Sequence, residues 1–310
     1  MRIACLTYQL IGHAALSYLL EETEDEVVGV FTHEDSPGEE IWWPSVAELA
    51  AGHGVEVLTP ENLNAPEWVE RLRQMKPDII VSAWYRNLVK QPILDIPPLG
   101  AYNLHGSLLP LYRGRAPVNW VLVNGEQETG MTLHQMTVRA DAGDIVGQAV
   151  VPVELDDTAA TLYERLAATG KDVLRAAWPL LREGKAPRRV QDVAKATYVG
   201  RRTPADGEFA WDWPARQIHN LVRAVTHPYP GAFVEGPRGR VFVWQSHPVP
   251  GLLFPNPPAP GSVCRWSPAG LEVATSEGNL LVTRLQRQGE EELDAEAYVQ
   301  RYGVEVGDII

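Results

Sequence analysis

MRIACLTYQLIGHAALSYLLEETEDEVVGVFTH, residues 1–33, decides the fold. RIACLTY (2–8) and VVGVFTH (27–33) read as short buried strands, and HAALSYLLEE (13–22) between them repeats apolar residues at helical spacing. The pattern continues outward. VEVL (55–58) and DIIVSAWY (78–85) read as further strands, with helices expected over IWWPSVAELAAGHG (41–54) and APEWVERLRQM (65–75), and Gly52 and Gly54 as stop signals. Strand and helix in alternation imply an α/β fold with a doubly wound, mainly parallel, Rossmann-like sheet. In that architecture ligands collect at the carboxyl ends of the strands.

After Ala101 the pattern changes. YNLHGSLLP (102–110) leads into an Arg- and Gly-rich turn, a short helix around PVNWVLVNGE (117–126), and the strands TGMTLHQM (129–136) and DIVGQAVVPV (144–153). A long helix is expected from about Thr158 to Glu183, with Asp157 or Thr158 as N-cap. Beyond Pro204 a helix, WPARQIHNLVRAV (213–225), and a proline-constrained loop, HPYPGAF (227–233), precede three strand-like runs: RVFVWQSHPV (240–249), SVCRWSPAGLEVAT (262–275) and NLLVTRLQ (279–286). LLFPNPPAPG (252–261) is too proline-rich to sit inside a sheet. The expected division is a catalytic domain over 1–203 and a small β-rich domain over 204–310, built as an open, OB-like barrel.

Composition narrows the function. The chain has 310 residues, 45% of them hydrophobic, enough for a sizeable core and more than a typical single domain. The net charge of -13 works against a nucleic-acid partner, whose phosphates are met by Lys and Arg. Residues 204–310 hold 8 Arg, no Lys and 13 Asp plus Glu, so the tail is acidic as well. No run approaches the roughly 18 apolar residues of a membrane span, and MRIACLTYQL lacks the pattern of a secretory signal. A cytoplasmic enzyme with no membrane partner is expected. Cys5 and Cys264 are far apart and suggest neither a disulfide framework nor a C-x-x-C site.

The turn after the first strand, TYQLIGHAAL (7–16), lacks the G-x-G-x-x-G that brings a backbone against a pyrophosphate, so a nicotinamide dinucleotide is not expected there. The dense chemistry lies at NLHGSLLP (103–110). Residues two apart on a strand face the same way, so Asn103 and His105 can look into one cleft. An amide donor beside an imidazole suits acyl transfer, which needs an oxyanion donor and a proton carrier together. In RADAGDIV (139–146), Asp141 can orient His105 and stabilise its imidazolium, with Asp144 as the rival carboxylate. A metal held by His105, His134 and Asp141 has no H-E-x-x-H or similar spacing behind it, so no metal is expected and His134 reads as a strand side chain.

NLHGSLLPLYRGRAPVNWVLVNGE (103–126), ETGMTLHQM (128–136) and RADAGDIV (139–146), in this order, resemble the 10-formyltetrahydrofolate-dependent formyltransferases, and the likeness covers essentially the whole chain. THEDSPGE (32–39), GRAPVNWVLVNGE (114–126), GRRTPADG (200–207) and HNLVRAVTHPYPGAF (219–233) are similar to one branch of that family, the UDP-4-amino-4-deoxy-L-arabinose formyltransferase module of a bifunctional polymyxin-resistance protein. That relative continues into a nicotinamide-dependent decarboxylase, whereas this chain ends at GVEVGDII (303–310), as a standalone enzyme or an excised module.

The resemblance implies that Asn103 stabilises the transition state, His105 transfers the proton and Asp141 raises the pKa of the histidine. It further implies that 10-formyltetrahydrofolate lies against Asn87, Leu88 and Val89, near Arg115, and along Thr137, Val138, Arg139, Ala140 and Asp141. Leu88 and Val89 can equally be core residues. Arg113 and Arg115 can hold the folate glutamate or an acceptor phosphate, or sit in a solvated turn. Arg201 and Arg202 are either a clamp for a nucleotide diphosphate or surface charge. The Trp42-Trp43 pair fits core or interface better than a base-stacking platform.

The expected reaction is formyl transfer from 10-formyltetrahydrofolate to the amine of a nucleotide-linked amino sugar, with folate and the sugar nucleotide as partners. Methionyl-tRNA formyltransferase, formyltetrahydrofolate hydrolase and a non-catalytic nucleotide-sugar binding module are the alternatives.

Overall fold

The computed structural model describes residues 1–36, 40–237, 239–249 and 258–310. The end of THEDSPGE, at 37–39, and most of LLFPNPPAPG, at 252–257, lie outside the described residues. The chain forms two compact units. The first comprises Met1–Val118, Gln127–Val153 and Thr161–Gly200, and the second Asn119–Glu126, Glu154–Ala160 and Arg201–Ile310. The short segments 119–126 and 154–160 group with the second unit without any sequence signal for it.

The first unit opens with β1 (Arg2–Thr7), α1 (Gln9–Glu21) and β2 (Glu26–Phe31). In α1 the residues Ile11, Ala15, Leu16 and Leu19 are buried, the i, i+4, i+5, i+8 stripe of an amphipathic helix. α2 (Val46–Gly52) is shorter than its sequence pattern. Ser45 is extended and its side chain accepts the Glu48 N–H at 3.2 Å, so residues 41–44 stay outside the helix. β3 (Val57–Leu58), α3 (Pro66–Gln74) and β4 (Ile79–Ala83) follow. α3 begins with Pro66 and Glu67 and ends with Arg71 and Arg73, a charge order that complements the helix dipole. α4 (Gln91–Leu94), β5 (Ala101–His105), β6 (Arg113–Gly114), α5 (Pro117–Val123), β7 (Glu128–Gln135), β8 (Ile145–Pro152), α6 (Ala159–Arg182) and β9 (Tyr198–Val199) complete the sequence up to residue 200. Thr158 immediately precedes α6.

The main sheet runs β3-β2-β1-β4-β5-β7-β8. The pairs from β3 to β5 are parallel, and β7 and β8 add on antiparallel. The sheet is therefore doubly wound and mainly parallel, and the strand order reverses at β1 and β4, where such folds open a crevice at the strand ends. β1 and β4 are buried along nearly their whole lengths, as strands covered on both faces must be. Cys5 in β1 has no exposure, and burial pushes its thiol up to about 12, so it stays a neutral core side chain.

The second unit contains α7 (Ala215–Val225), β10 (Ala232–Gly236), β11 (Gly239–Val249), β12 (Val263–Ser267), β13 (Gly270–Ala274), β14 (Asn279–Arg287), β15 (Glu292–Asp294) and α8 (Ala295–Tyr302). Its antiparallel sheet runs β10-β11-β14-β13-β12, with β15 pairing β14, and remains open between β10 and β12 among the described residues. Cys264 in β12 is half-buried and free. Among the described residues no helix is long and apolar enough to cross a membrane.

Candidate active site

β5 lies between β4, to which it is parallel, and β7, to which it is antiparallel. Asn103 pairs in register with Ser82 on one side and His134 on the other. Asn103 Nδ2 lies 3.2 Å from His134 Nε2, while His134 Nδ1 is 2.9 Å from the Gln135 carbonyl. A carbonyl only accepts, so His134 Nδ1 carries a proton and Nε2 presents its lone pair to the Asn103 amide. One Asn103 N–H is thereby fixed and the other is left for a ligand.

His105 is buried and obeys the same logic. Its Nε2 donates to the Tyr112 carbonyl at 2.8 Å, so Nδ1 is the atom left to accept and release a proton. Asp141 Oδ1 is 3.6 Å from His105 Nδ1 and 3.5 Å from His134 Nε2. These distances exceed a hydrogen bond but suit a carboxylate that stabilises an imidazolium. Burial pushes the Asp141 carboxyl up, but the charge of His105, the neighbouring His134 and the Gly114 N–H together hold it well below the usual carboxylate range.

Asp141 is held by backbone and by a distant side chain. Its Oδ2 accepts from Gly114 N at 2.9 Å, and its carbonyl accepts from Gln191 Nε2 at 2.9 Å. The same Gln191 amide donates to the Gly143 carbonyl at 2.6 Å, and its Oε1 accepts from Arg113 Nε and Nη2 at 3.2 and 2.7 Å. Asp141 itself adopts a φ of 54°, left-handed backbone that Asp tolerates better than most residues but that the surroundings must enforce. Gly143 is required at its place, because a Cβ there would meet the Gln135 carbonyl oxygen at 1.9 Å.

The turn after His105 is equally constrained. Thr132 Oγ1 donates to the Ser107 carbonyl at 2.6 Å and accepts from Leu109 N at 3.2 Å, and Ser107 Oγ donates to the Leu111 carbonyl at 2.6 Å. At Gly106 a Cβ would meet the Trp84 ring at 2.5 Å. These contacts bring the Tyr112 carbonyl back over His105.

The structure thus brings Asn103, His105, Asp141 and His134 together, while Asp144 uses its carbonyl to accept from Gln135 N and makes no ion pair with His105 among the described residues. His134 is a strand side chain and also a member of the cluster. Its position was visible only as a histidine on the strand that turned out to pair with β5. Among the described residues no group of three His, Cys, Asp or Glu side chains is arranged to hold a metal ion.

The remaining candidates divide by burial. Asn87, Leu88 and Val89 follow β4, whose carboxyl end lies beside that of β5. Leu88 is 67% exposed, its carbonyl accepting from Asn64 Nδ2 at 2.8 Å, whereas Val89 is 7% exposed and belongs to the core with Leu63, Leu72 and Ile93. Asn87 Nδ2 donates to the Glu61 carbonyl at 3.0 Å. Thr137, Val138, Arg139 and Ala140 form an exposed loop leading into Asp141, in which Arg139 Nη2 donates to Tyr198 OH at 2.9 Å. Arg115 is exposed.

Arg113 departs from its expectation as an anion holder. It is 1% exposed, and with Nη1 on Tyr198 OH at 2.8 Å and two bonds to Gln191 its guanidinium is committed to the interior. Trp42 and Trp43 are half-buried, meeting each other edge-on and packing against Tyr163 and Tyr8, an aromatic cluster rather than a free platform.

The formyl transferase family matches residues 1–177, and the formyl transferase C-terminal domain matches residues 201–303. Among solved structures, an N-formyltransferase from Helicobacter canadensis in complex with folinic acid and dTDP-3-aminofucose has a TM-score of 0.70 at 19% identity, over 91% of this chain and 97% of that one. WlaRD, a sugar 3N-formyl transferase in the presence of dTDP and 5-N-formyl-THF, has a TM-score of 0.66 at 17% identity, over 94% and 99%. HypX from Aquifex aeolicus in complex with tetrahydrofolic acid has a TM-score of 0.65 at 18% identity over 100% of this chain, which spans only 49% of HypX. At these identities the structures share the fold, and the two family matches, which together run through most of the sequence, place the chain in the formyl transferase family.

Proposed function

We propose that the protein transfers the formyl group of 10-formyltetrahydrofolate to the amine of a nucleotide-linked amino sugar, UDP-4-amino-4-deoxy-L-arabinose being the first acceptor to test, and that it does so in the cytoplasm. The observation that carries this is the convergence of Asn103, His105 and Asp141, with His105 Nδ1 facing Asp141 at 3.6 Å, in a chain of this family. The exposed Leu88 side chain and the open loop 137–140 fit a flat heteroaromatic donor that is read by loop backbone. The sugar N-formyltransferases among the structural neighbours, seen with folates and with dTDP or a dTDP-sugar, support the acceptor class.

The amine nitrogen attacks the formyl carbon, and the carbonyl oxygen takes on negative charge. The free N–H of Asn103 donates to that oxygen. His105 Nδ1 accepts the proton lost by the amine, with Asp141 stabilising the resulting imidazolium, and returns it to the leaving nitrogen of the donor. The C–N bond to the donor breaks as the new amide forms, so no proton or electron is left over. An amine must be neutral to attack, so the rate rises with pH until the acceptor is deprotonated.

The test is incubation with 10-formyltetrahydrofolate and a panel of amino-sugar nucleotides, amino acids and methionyl-tRNA, followed by mass spectrometry. A sugar nucleotide heavier by one formyl group is expected. Formylation confined to the tRNA or the amino acids, or release of folate with no formylated product, overturns the acceptor class.

A further inference from the structure

The second unit holds a cavity of about 620 Å3, within the range of roughly 300–1,000 Å3 of small-molecule sites. Trp120, Asn124, Arg202, Trp213, Arg216 and Asn220 are in its wall. Arg202 is the unusual member. Its guanidinium lies over the Trp120 ring, 4.6 Å from the centroid, and Nη2 donates to the Asp206 carbonyl at 2.6 Å, but the buried Nε has no hydrogen-bond partner. The Asp206 carboxylate turns to the Thr203 N–H and hydroxyl and makes no hydrogen bond to the guanidinium. Among the described residues no carboxylate forms an ion pair with Arg202. Burial pushes its guanidinium down, against an opposing pull from the Asp206 charge. Arg113 in the first unit shows how an interior guanidinium is otherwise satisfied, by Gln191 and Tyr198.

A second cation stands in the same wall. Arg216 is exposed, forms no ion pair among the described residues, and lies in the first turn of the 11-residue helix α7, which has no acidic residue there. The amide N–H groups of that turn favour an anion as well. Two indoles and the side-chain amides of Asn124, Gln217 and Asn220 also line it, and Asp206 is its one acidic member among the described residues. In a chain of net charge -13, two arginines against one carboxylate make a local excess of positive charge, joined to flat aromatic surface. Its neighbour Arg201 is exposed and does not line the cavity.

We propose that this cavity binds a nucleoside diphosphate, with phosphate oxygens accepting from Arg202 Nε and the Arg216 guanidinium and the base bordered by the indoles and side-chain amides. Guanidinium groups suit phosphates because their donors are charged and arranged in a fork. The choice of a nucleotide over another planar anion rests on the acceptor class proposed above.

Titration calorimetry of the full chain with UDP, dTDP and inorganic pyrophosphate, in the absence of folate, tests this. A nucleoside diphosphate is expected to bind the wild type. Arg202→Ala and Arg216→Ala are each expected to weaken it at least about tenfold, and pyrophosphate to bind at least about tenfold more weakly than the nucleotide. The exposed Arg216 makes its variant a safe control for folding, checked by an unchanged melting temperature. Absence of nucleotide binding to the wild type, binding to either variant as tight as to the wild type, or pyrophosphate binding as tightly as nucleotide overturns the proposal. Because nothing turns over in the titration, a failure to formylate sugar nucleotides does not touch this result. Formylation whose KM for the sugar nucleotide is unchanged by Arg216→Ala overturns the cavity assignment alone.

Discussion

Asn103 Nδ2 lies 3.2 Å from His134 Nε2 across the β5–β7 pairing, so the amide proposed to meet the developing oxyanion is aimed by a residue on the neighbouring strand. A donor misplaced by about 1 Å can cost about 100-fold in rate. His134→Ala is therefore expected to lower kcat by about this factor, with KM for both substrates little changed. The His134→Gln variant, which can still accept from Asn103, should recover part of the loss. Steady-state kinetics of the two variants separate this orienting role from simple packing, for which Gln would bring no recovery.

Gln191 links the buried Arg113 to the backbone that carries Asp141. In Gln191→Leu the guanidinium loses two bonds and two carbonyls lose a donor, and an unsatisfied buried group costs about 1–3 kcal/mol, more when charged. Chemical denaturation should show a loss of about 3 kcal/mol or more, and the residual folded enzyme a lowered kcat from a loosened Asp141. A variant with unchanged stability would mean that Arg113 finds other partners.

Both of these residues mark where sequence stops being informative. The β-α-β alternation of residues 1–33 and the spacing of Asn103 and His105 report local periodicity, which the strand geometry preserves directly. His134 joins the site through an antiparallel pairing whose register no local pattern specifies. Gln191 is 50 residues from Asp141 in a stretch with no periodicity, and only the tertiary fold brings the two together. Arg113 and Arg115 look alike in YRGR, yet one is 1% exposed and the other is exposed, a difference set by the approach of Tyr198 and Gln191. The last helix, α8, is set by local signals, with Asp294 accepting from Ala297 N at 2.8 Å as N-cap and Gly303 at a φ of 61° closing it.

Asp141 has a carboxyl held below its usual range, so its contribution to stability has a definite sign. It is present above the unfolded value of about 4 and lost as pH falls from there toward the lower folded value. Urea denaturation across pH 7 to 3 should show wild type more stable than Asp141→Asn at neutral pH, with the difference narrowing below about pH 4. A difference that widens on acidification contradicts the charge interactions with His105 and His134.

Gly143→Ala puts a Cβ 1.9 Å from the Gln135 carbonyl oxygen, a clash with backbone that only movement of the Asp141 loop can relieve. Overpacking of this kind costs about 1–3 kcal/mol. A lowered melting temperature together with reduced kcat is expected, and full activity would show that the loop position does not matter for Asp141.

The central claim is that Asn103 and His105 perform formyl transfer, and single-turnover transfer of labelled formyl from 10-formyltetrahydrofolate to a sugar-nucleotide amine measures it most directly. His105→Ala should slow the transfer by about 100- to 10,000-fold and Asn103→Ala by about 100- to 1,000-fold, both with folate binding retained. Transfer at the wild-type rate in either variant would contradict the assignment.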